Sequence, residues 1–246
     1  MSGQVRAVYL SPHHDDICFS LGALTGKIRG GILVNIFSIS SYADEALHLP
    51  LDPRLVSRIR NQEDDGFALR CGLTKHNLDQ LDSPLRNRGP YDPMDRLGEV
   101  EQFAPLLRVC LASLSSPQEK ALLFCPAGIG MHRDHLIVRD IIIRDYEQFR
   151  AAFDIVFYED LHYASKIAAR EQGLREFLEV AGKWGYTIRY KFEVTLDKLN
   201  LIWQYKSQFG NLPTDLSSFS PADGSSSPHE AVWTNKRIEA LENLRS

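Results

Sequence analysis

Residues 5–28 read VRAVYLSPHHDDICFSLGALTGKI. The stretch opens on a short β-rich apolar run, passes through a turn, and enters an apolar-periodic helix pattern at Ile17. Strand, short loop and helix in that order are the first unit of a βαβ architecture. The turn itself holds His13, His14, Asp15 and Asp16. Four adjacent ionisable groups add nothing to a hydrophobic core, so their chemistry needs a purpose. Asp is a good helix N-cap, which alone would explain one of the aspartates but not the set.

The same alternation continues along the chain. A buried strand is expected in GGILVNIFSI (residues 30–39), and a helix opened by Pro53 and closed near Gly72 follows. Residues 74–93 are rich in Asp, Asn, Pro and Gly and read mainly as loop. A helix over about 94–114 leads to a strand in KALLFCP (120–126). After it come Gly128, Gly130 and the cluster HRDH (132–135), then a helix pattern to Phe149. FDIVFYED reads as a strand and residues 165–185 as a helix. YTIRYKFEV alternates like an exposed or antiparallel strand, and residues 196–209 read as a further helix. Residues 210–228 are a loop rich in Ser, Pro and Gly, and no internal repeat is visible. This order predicts an α/β fold with a mostly parallel, doubly wound sheet. Ligands bind such sheets at the carboxyl ends of strands, where both charged clusters fall.

The bulk numbers agree. The chain has 246 residues, of which 43% are hydrophobic and 24% charged, with a net charge of -4. A sizeable core is expected, and a basic nucleic-acid-binding face is not. No apolar run approaches the ~18 residues of a membrane span, and the first residues lack a secretory h-region. Cys18, Cys71, Cys110 and Cys125 are scattered without a CxxC pair. Reduced thiols and a cytoplasmic location are therefore expected. The sequence leaves homo-oligomerisation open.

Histidine nitrogen with aspartate oxygen suits a borderline divalent ion. His13 and Asp16 are three apart at a strand-to-helix turn. His132 and His135 are three apart on an opening helix turn, hence on one face. The two clusters offer more candidates than one ion needs; one economical assignment takes one His and one Asp from the first cluster and one His from the second. The remaining Asp and His would handle protons.

Several stretches resemble the PIG-L/LmbE-like zinc N-deacetylases. SPHHDD looks like the family's AHPDD signature, and GIGMHRDH like its G-x-x-G-H-x-D-H. RNQED, LDSPLRNRG, FYEDLHYA and YKSQ are similar to further family segments, so the likeness runs from about Val5 to Gln208. It implies a single Rossmann-like three-layer domain over residues 1–246, with the active site at the carboxyl ends of the strands. By position it implies His13, Asp16 and His135 as Zn2+ ligands, with Fe2+ as another candidate ion. Asp15 becomes the general base acting on the metal-activated water. His132 becomes the acid and oxyanion stabiliser, with Asp134 orienting it. Arg60 and Asp82 match sugar-contacting positions. The implied reaction removes acetyl from an N-acetylated amino sugar or a small glycoconjugate.

The chain departs from the family pattern at His14 (usually Pro), Ile17 (often Glu) and Met131 (often Gly). One of Tyr158, Glu159 and Asp160 is expected to touch substrate. Specificity is expected in the loops 41–52, 79–93 and 210–228. Two His and a carboxylate also describe non-haem iron oxygenases. A metal phosphoesterase and a non-catalytic sugar-binding protein on the same fold are compatible with the same residues.

Overall fold

The computed structural model describes residues 6–48, 52–116 and 118–244; Val5 of the opening strand lies outside them. Strands β1 (Ala7–Ser11), β2 (Gly31–Asn35), β3 (Leu73–Asn77), β4 (Ala121–Pro126), β5 (Phe153–Tyr158), β6 (Ile188–Glu193) and β7 (His229–Thr234) form one seven-stranded sheet in the order β3-β2-β1-β4-β5-β7-β6. Pairing is parallel from β3 through β5 and antiparallel on both sides of β7.

The helices are α1 (Asp16–Ile28), α2 (Pro53–Cys71), α3 (Arg96–Leu114), α4 (Arg133–Arg144), α5 (Tyr146–Phe149), α6 (Ile167–Ala181), α7 (Leu199–Ile202) and α8 (Glu239–Asn243). Alternate residues of β1 go to opposite faces of the sheet. Val8 and Leu10 join a core with Phe103 and Leu107 of α3, Ile137 and Ile141 of α4 and Phe177 of α6. Ala7 and Tyr9 join a second core with Phe19 and Leu24 of α1, Phe67 of α2 and Ile202 of α7. Both faces of β1 and β4 are therefore covered, which explains their uninterrupted apolar sequences.

α2 follows its sequence signals closely. Asp52 accepts from the Arg54 N–H at 2.8 Å, Pro53 takes the first position, and Gly72 closes the helix at φ 69°. Other expectations need correction. β3 lies inside the stretch that reads as loop, because LTKHN is a half-buried edge strand and carries little apolar signal. β7 is not announced by the sequence either. Its Glu230 is fully buried, and it accepts from the Ala23 and Leu24 N–H groups at 2.8 Å each and pairs with Lys198 at 2.8 Å. A buried charge that is paired and hydrogen-bonded is tolerable, but it breaks the hydrophobic pattern. The helix expected over 196–209 is broken into short turns around α7. There the Ser207 N–H and hydroxyl bind Glu63 at 2.7 and 2.6 Å, an alternative to helical bonding. The helix expected from 135 to 149 divides into α4 and α5 at Asp145, whose carboxylate takes Arg108.

Candidate functional site

The two charged clusters meet. His13 to Asp16 follow β1 and His132 to His135 follow β4, neighbouring strands of the sheet. His132 caps α4: its Nδ1 accepts the Asp134 N–H at 3.3 Å. That fixes the Nε2 nitrogen as the one carrying the proton. Met131, just before it, adopts φ 61°, a left-handed conformation that a glycine takes without strain. Gly130 is needed as glycine, because a Cβ there would run into the Tyr163 ring.

Each of the two other histidines is held at one nitrogen by a buried carboxylate. His13 Nε2 donates to Asp134 Oδ2 at 2.9 Å, and His135 Nδ1 to Asp160 Oδ1 at 2.6 Å. Their opposite nitrogens face Asp16. His13 Nδ1 is 3.3 Å from Asp16 Oδ2, and His135 Nε2 is 3.3 Å from Asp16 Oδ1. His135 Nε2 is buried and has no hydrogen-bond partner. A histidine oriented by a carboxylate, with its free nitrogen aimed at an anionic oxygen, is the arrangement that outer carboxylates impose on metal-ligating imidazoles. These residues fit a divalent ion. His13, His132 and His135 also bring ligand atoms within 4.8 Å of one another. The two trios share His13 and His135 and differ in the third donor. Asp16 is the better candidate, since both imidazoles already face it, while His132 Nδ1 accepts an N–H and so leaves its Nε2 protonated.

Electrostatics follow from this packing. Burial would lower the His13 imidazole, but its bonds to Asp134 and Asp16 outweigh it and raise the group to about 9. His135 is also raised, its two carboxylates overcoming burial. Asp16 is held well below the ordinary carboxyl range: burial opposes this, and the His135 and His13 charges prevail. His132 goes the other way, down to about 2, through burial and the adjacent His13 and His135. His132 is thus neutral in the metal-free protein.

Asp15 lines a cavity of about 240 Å³ together with His13, Asp16, Asp82 and His132. Its Oδ1 accepts from Arg60 Nη2 at 2.6 Å. Arg60 is itself buried, and its Nη1 binds Ser40 Oγ at 3.0 Å. Arg60, expected as a sugar contact, lines the cavity and also holds Asp15. Asp82 does reach the cavity, and one of its oxygens caps the Leu85 N–H at 3.2 Å. Asp134 does not orient His132 through its carboxylate. That carboxylate serves His13, Ser83 and Arg86, and only the Asp134 backbone N–H meets His132.

None of Tyr158, Glu159 and Asp160 lines the cavity. Tyr158 donates to the Leu10 carbonyl, Glu159 binds Arg170 and Arg189, and Asp160 holds His135. His14 is buried, with its nitrogens 3.3 Å from Asp64 Oδ2 and 3.2 Å from the Ser38 carbonyl. It ties the turn to α2 rather than facing substrate. The loop 41–48 supplies Tyr42, and the loop 79–93 supplies Asp82, Pro84, Pro90 and Tyr91. Residues 210–228 supply none of the lining. Phe219 packs against Phe19 at 5.2 Å between ring centroids, so this segment supports the wall from behind. His162, an ordinary loop residue by its sequence surroundings, lines the cavity; no local sequence pattern marks it.

No family model matches the chain. It is 27% identical over 182 residues to 2'-N-acetylparomamine deacetylase of Streptomyces fradiae, a match spanning 70% of this chain and 63% of that protein. The chain thus spans less than two thirds of that relative's length. Among solved structures it is similar to the zinc-inhibited form of teicoplanin deacetylase Orf2 (TM-score 0.69, 18% identity, 93% of this chain and 97% of that one). It is also similar to the A40926 pseudoaglycone deacetylase Dbv21 (TM-score 0.66, 17% identity, 94% and 97%). These relatives are deacetylases, and at such identities the structural likeness concerns the fold. Among the described residues no helix is long and apolar enough to cross a membrane.

Proposed function

We propose that the protein is a metal-dependent N-deacetylase that hydrolyses the acetamide of an amino sugar or of a small glycoconjugate containing one. In this reading residues 1–246 form one Rossmann-like three-layer domain, with the active site at the carboxyl ends of β1 and β4. The strand order and the two helical layers support that assignment. Four unpaired cysteines fit a reducing cytoplasm.

The observation that carries the reading is the pair of carboxylate-held imidazoles facing the two oxygens of Asp16 on the floor of a cavity. His13, Asp16 and His135 would hold zinc; the same donors accept Fe2+. A zinc ion held there would supply a Lewis acid for the amide carbonyl and a water acidic enough to ionise near neutral pH. Asp15 takes the proton from the attacking water. Arg60 fixes one of its oxygens and leaves Oδ2 without a protein partner among the described residues. The water oxygen bonds to the acetyl carbon, and His132 donates from Nε2 to the developing oxyanion. Its Nδ1 bond to the helix cap leaves Nε2–H as the donor. The C–N bond then breaks, the nitrogen receives the proton that Asp15 took from the water, and acetate and a free amine leave. Asp82 is placed to accept from a sugar hydroxyl. Tyr42 and Tyr91 present exposed rings at the mouth for a sugar face.

The named activities of the relatives support this substrate class. A non-haem oxygenase reading has little support from a parallel sheet with its motifs at strand-to-helix turns. A non-catalytic binding role leaves the Asp15–Arg60 pair without a task. The test is a panel of N-acetylated amino sugars followed for acetate and primary amine. Release of both from at least one member, lost on metal removal, is expected; oxygen uptake with a 2-oxo acid, without acetate, would sink the proposal.

A further inference from the structure

The loop that walls the cavity is bonded directly to the group that holds His13. Asp134 is fully buried, and both its oxygens are used. Oδ2 accepts from His13 Nε2 at 2.9 Å and from the Ser83 N–H at 3.0 Å. Oδ1 accepts from Arg86 Nη2 at 2.7 Å. Ser83 and Arg86 belong to the same loop as Asp82, Pro84, Pro90 and Tyr91.

Arg86 is itself fixed on all sides. Its Nε donates to Glu99 Oε1 at 2.9 Å, and its Nη1 donates to the Leu81 carbonyl. The guanidinium lies 4.6 Å from the Phe37 ring centroid and 5.2 Å from that of Phe103. Glu99 in turn accepts from Arg133, the residue next to Asp134. The Arg133 N–H donates to the Pro90 carbonyl at 2.6 Å. An arginine with three nitrogens engaged in a planar fork, its faces packed on aromatic rings, has one geometry available.

We propose that Arg86 is a positioning residue for the metal site: it sets the Asp134 carboxylate, and through it His13, so that the substrate loop and the metal ligand move as one unit. This rests on the reading of His13 as a ligand. Without the guanidinium, Oδ1 of a buried carboxylate loses its donor, and Asp134 is free to turn away from His13. Partners of this kind, lying behind the ligands, typically change metal affinity by about 10–100-fold.

The test uses Arg86→Met in the full chain, which keeps an apolar stem over Phe37 and Phe103 and removes every donor. Zinc is titrated into chelator-stripped protein against a chromophoric competitor. The expected zinc Kd of Arg86→Met is about 10–100-fold weaker than wild type. Asp134→Asn weakens it similarly, and the double variant is no weaker than Asp134→Asn, because both act along one path. Arg108→Ala removes an ion pair with Asp145 outside the cavity lining and leaves the Kd unchanged. If Arg86→Met does not fold, Arg86→Lys carries the same test: one ammonium cannot serve Asp134 and Glu99 together, so the Kd weakens. An unchanged Kd in the Arg86 variant, multiplicative effects in the double variant, or equal weakening in Arg108→Ala would each overturn the proposal. A wild-type protein that binds no zinc would instead overturn the functional reading beneath it.

Discussion

Asp160→Asn is the substitution whose consequence follows most directly from the geometry. Asp160 is fully buried. Oδ1 accepts from His135 Nδ1 at 2.6 Å and Oδ2 from the Ile129 N–H at 2.9 Å. An asparagine has the same shape but only one acceptor oxygen. Whichever way the amide turns, its NH2 faces another donor, so one of the two bonds is lost. Losing a bond to a charged group costs about 1.5–3 kcal/mol, equivalent to roughly 10–150-fold at about 1.4 kcal/mol per tenfold. If Asn keeps Ile129, His135 loses its orienter, and zinc affinity and kcat/KM should both fall by about 10–100-fold. If Asn keeps His135, the Ile129 N–H is stranded; the Tm should then drop by a few degrees, at about 2–4 °C per kcal/mol for a chain of this size. Chelator competition, steady-state kinetics and thermal unfolding on one preparation separate the two outcomes. A variant with wild-type zinc Kd, kcat/KM and Tm would refute the reasoning that Asp160 orients a ligand.

Asp15→Asn should lower kcat by about 10²–10⁴-fold while leaving the zinc Kd unchanged; undiminished turnover would remove Asp15 from the mechanism. The metal-free protein should show a specific pH dependence. His13 is raised from 6.5 to about 9 in the fold, so its stabilising contribution is complete below 6.5 and is lost as pH rises through 9. The Tm of stripped protein should fall across that window while zinc affinity rises, because the ion must displace the proton. A flat affinity profile measured over the same window would contradict it.

The groups that meet at the cavity come from two local clusters, which is why they stand out in the sequence. His13, Asp15, Asp16, His132 and His135 each stand at a strand-to-helix turn, and buried parallel strands announce themselves as continuous apolar runs. The pairings behind these clusters were not legible. Asp160 meets His135, Arg86 meets Asp134, and Arg60 meets Asp15 only after the sheet has brought separate turns together. An Asp in a turn or an Arg on a helix looks ordinary in a sequence. The same limit applies to elements stabilised by something other than apolar burial. β3 is a polar edge, β7 carries a buried charge satisfied by Lys198, and the segment around α7 exchanges helical bonds for Glu63. His14 stands out in the sequence only as a departure from the family spelling. Its structural task could not be read there, because its partners Asp64 and Ser38 come from distant parts of the chain.

The central claim is tested most directly by comparing zinc-loaded and chelator-stripped protein on one N-acetylated amino sugar, with acetate and primary amine counted in the same reaction. Equal amounts of the two products are predicted from the loaded protein, none from the stripped protein, and recovery when zinc is restored. Undiminished release by stripped protein, or loss of substrate without acetate, would contradict the claim.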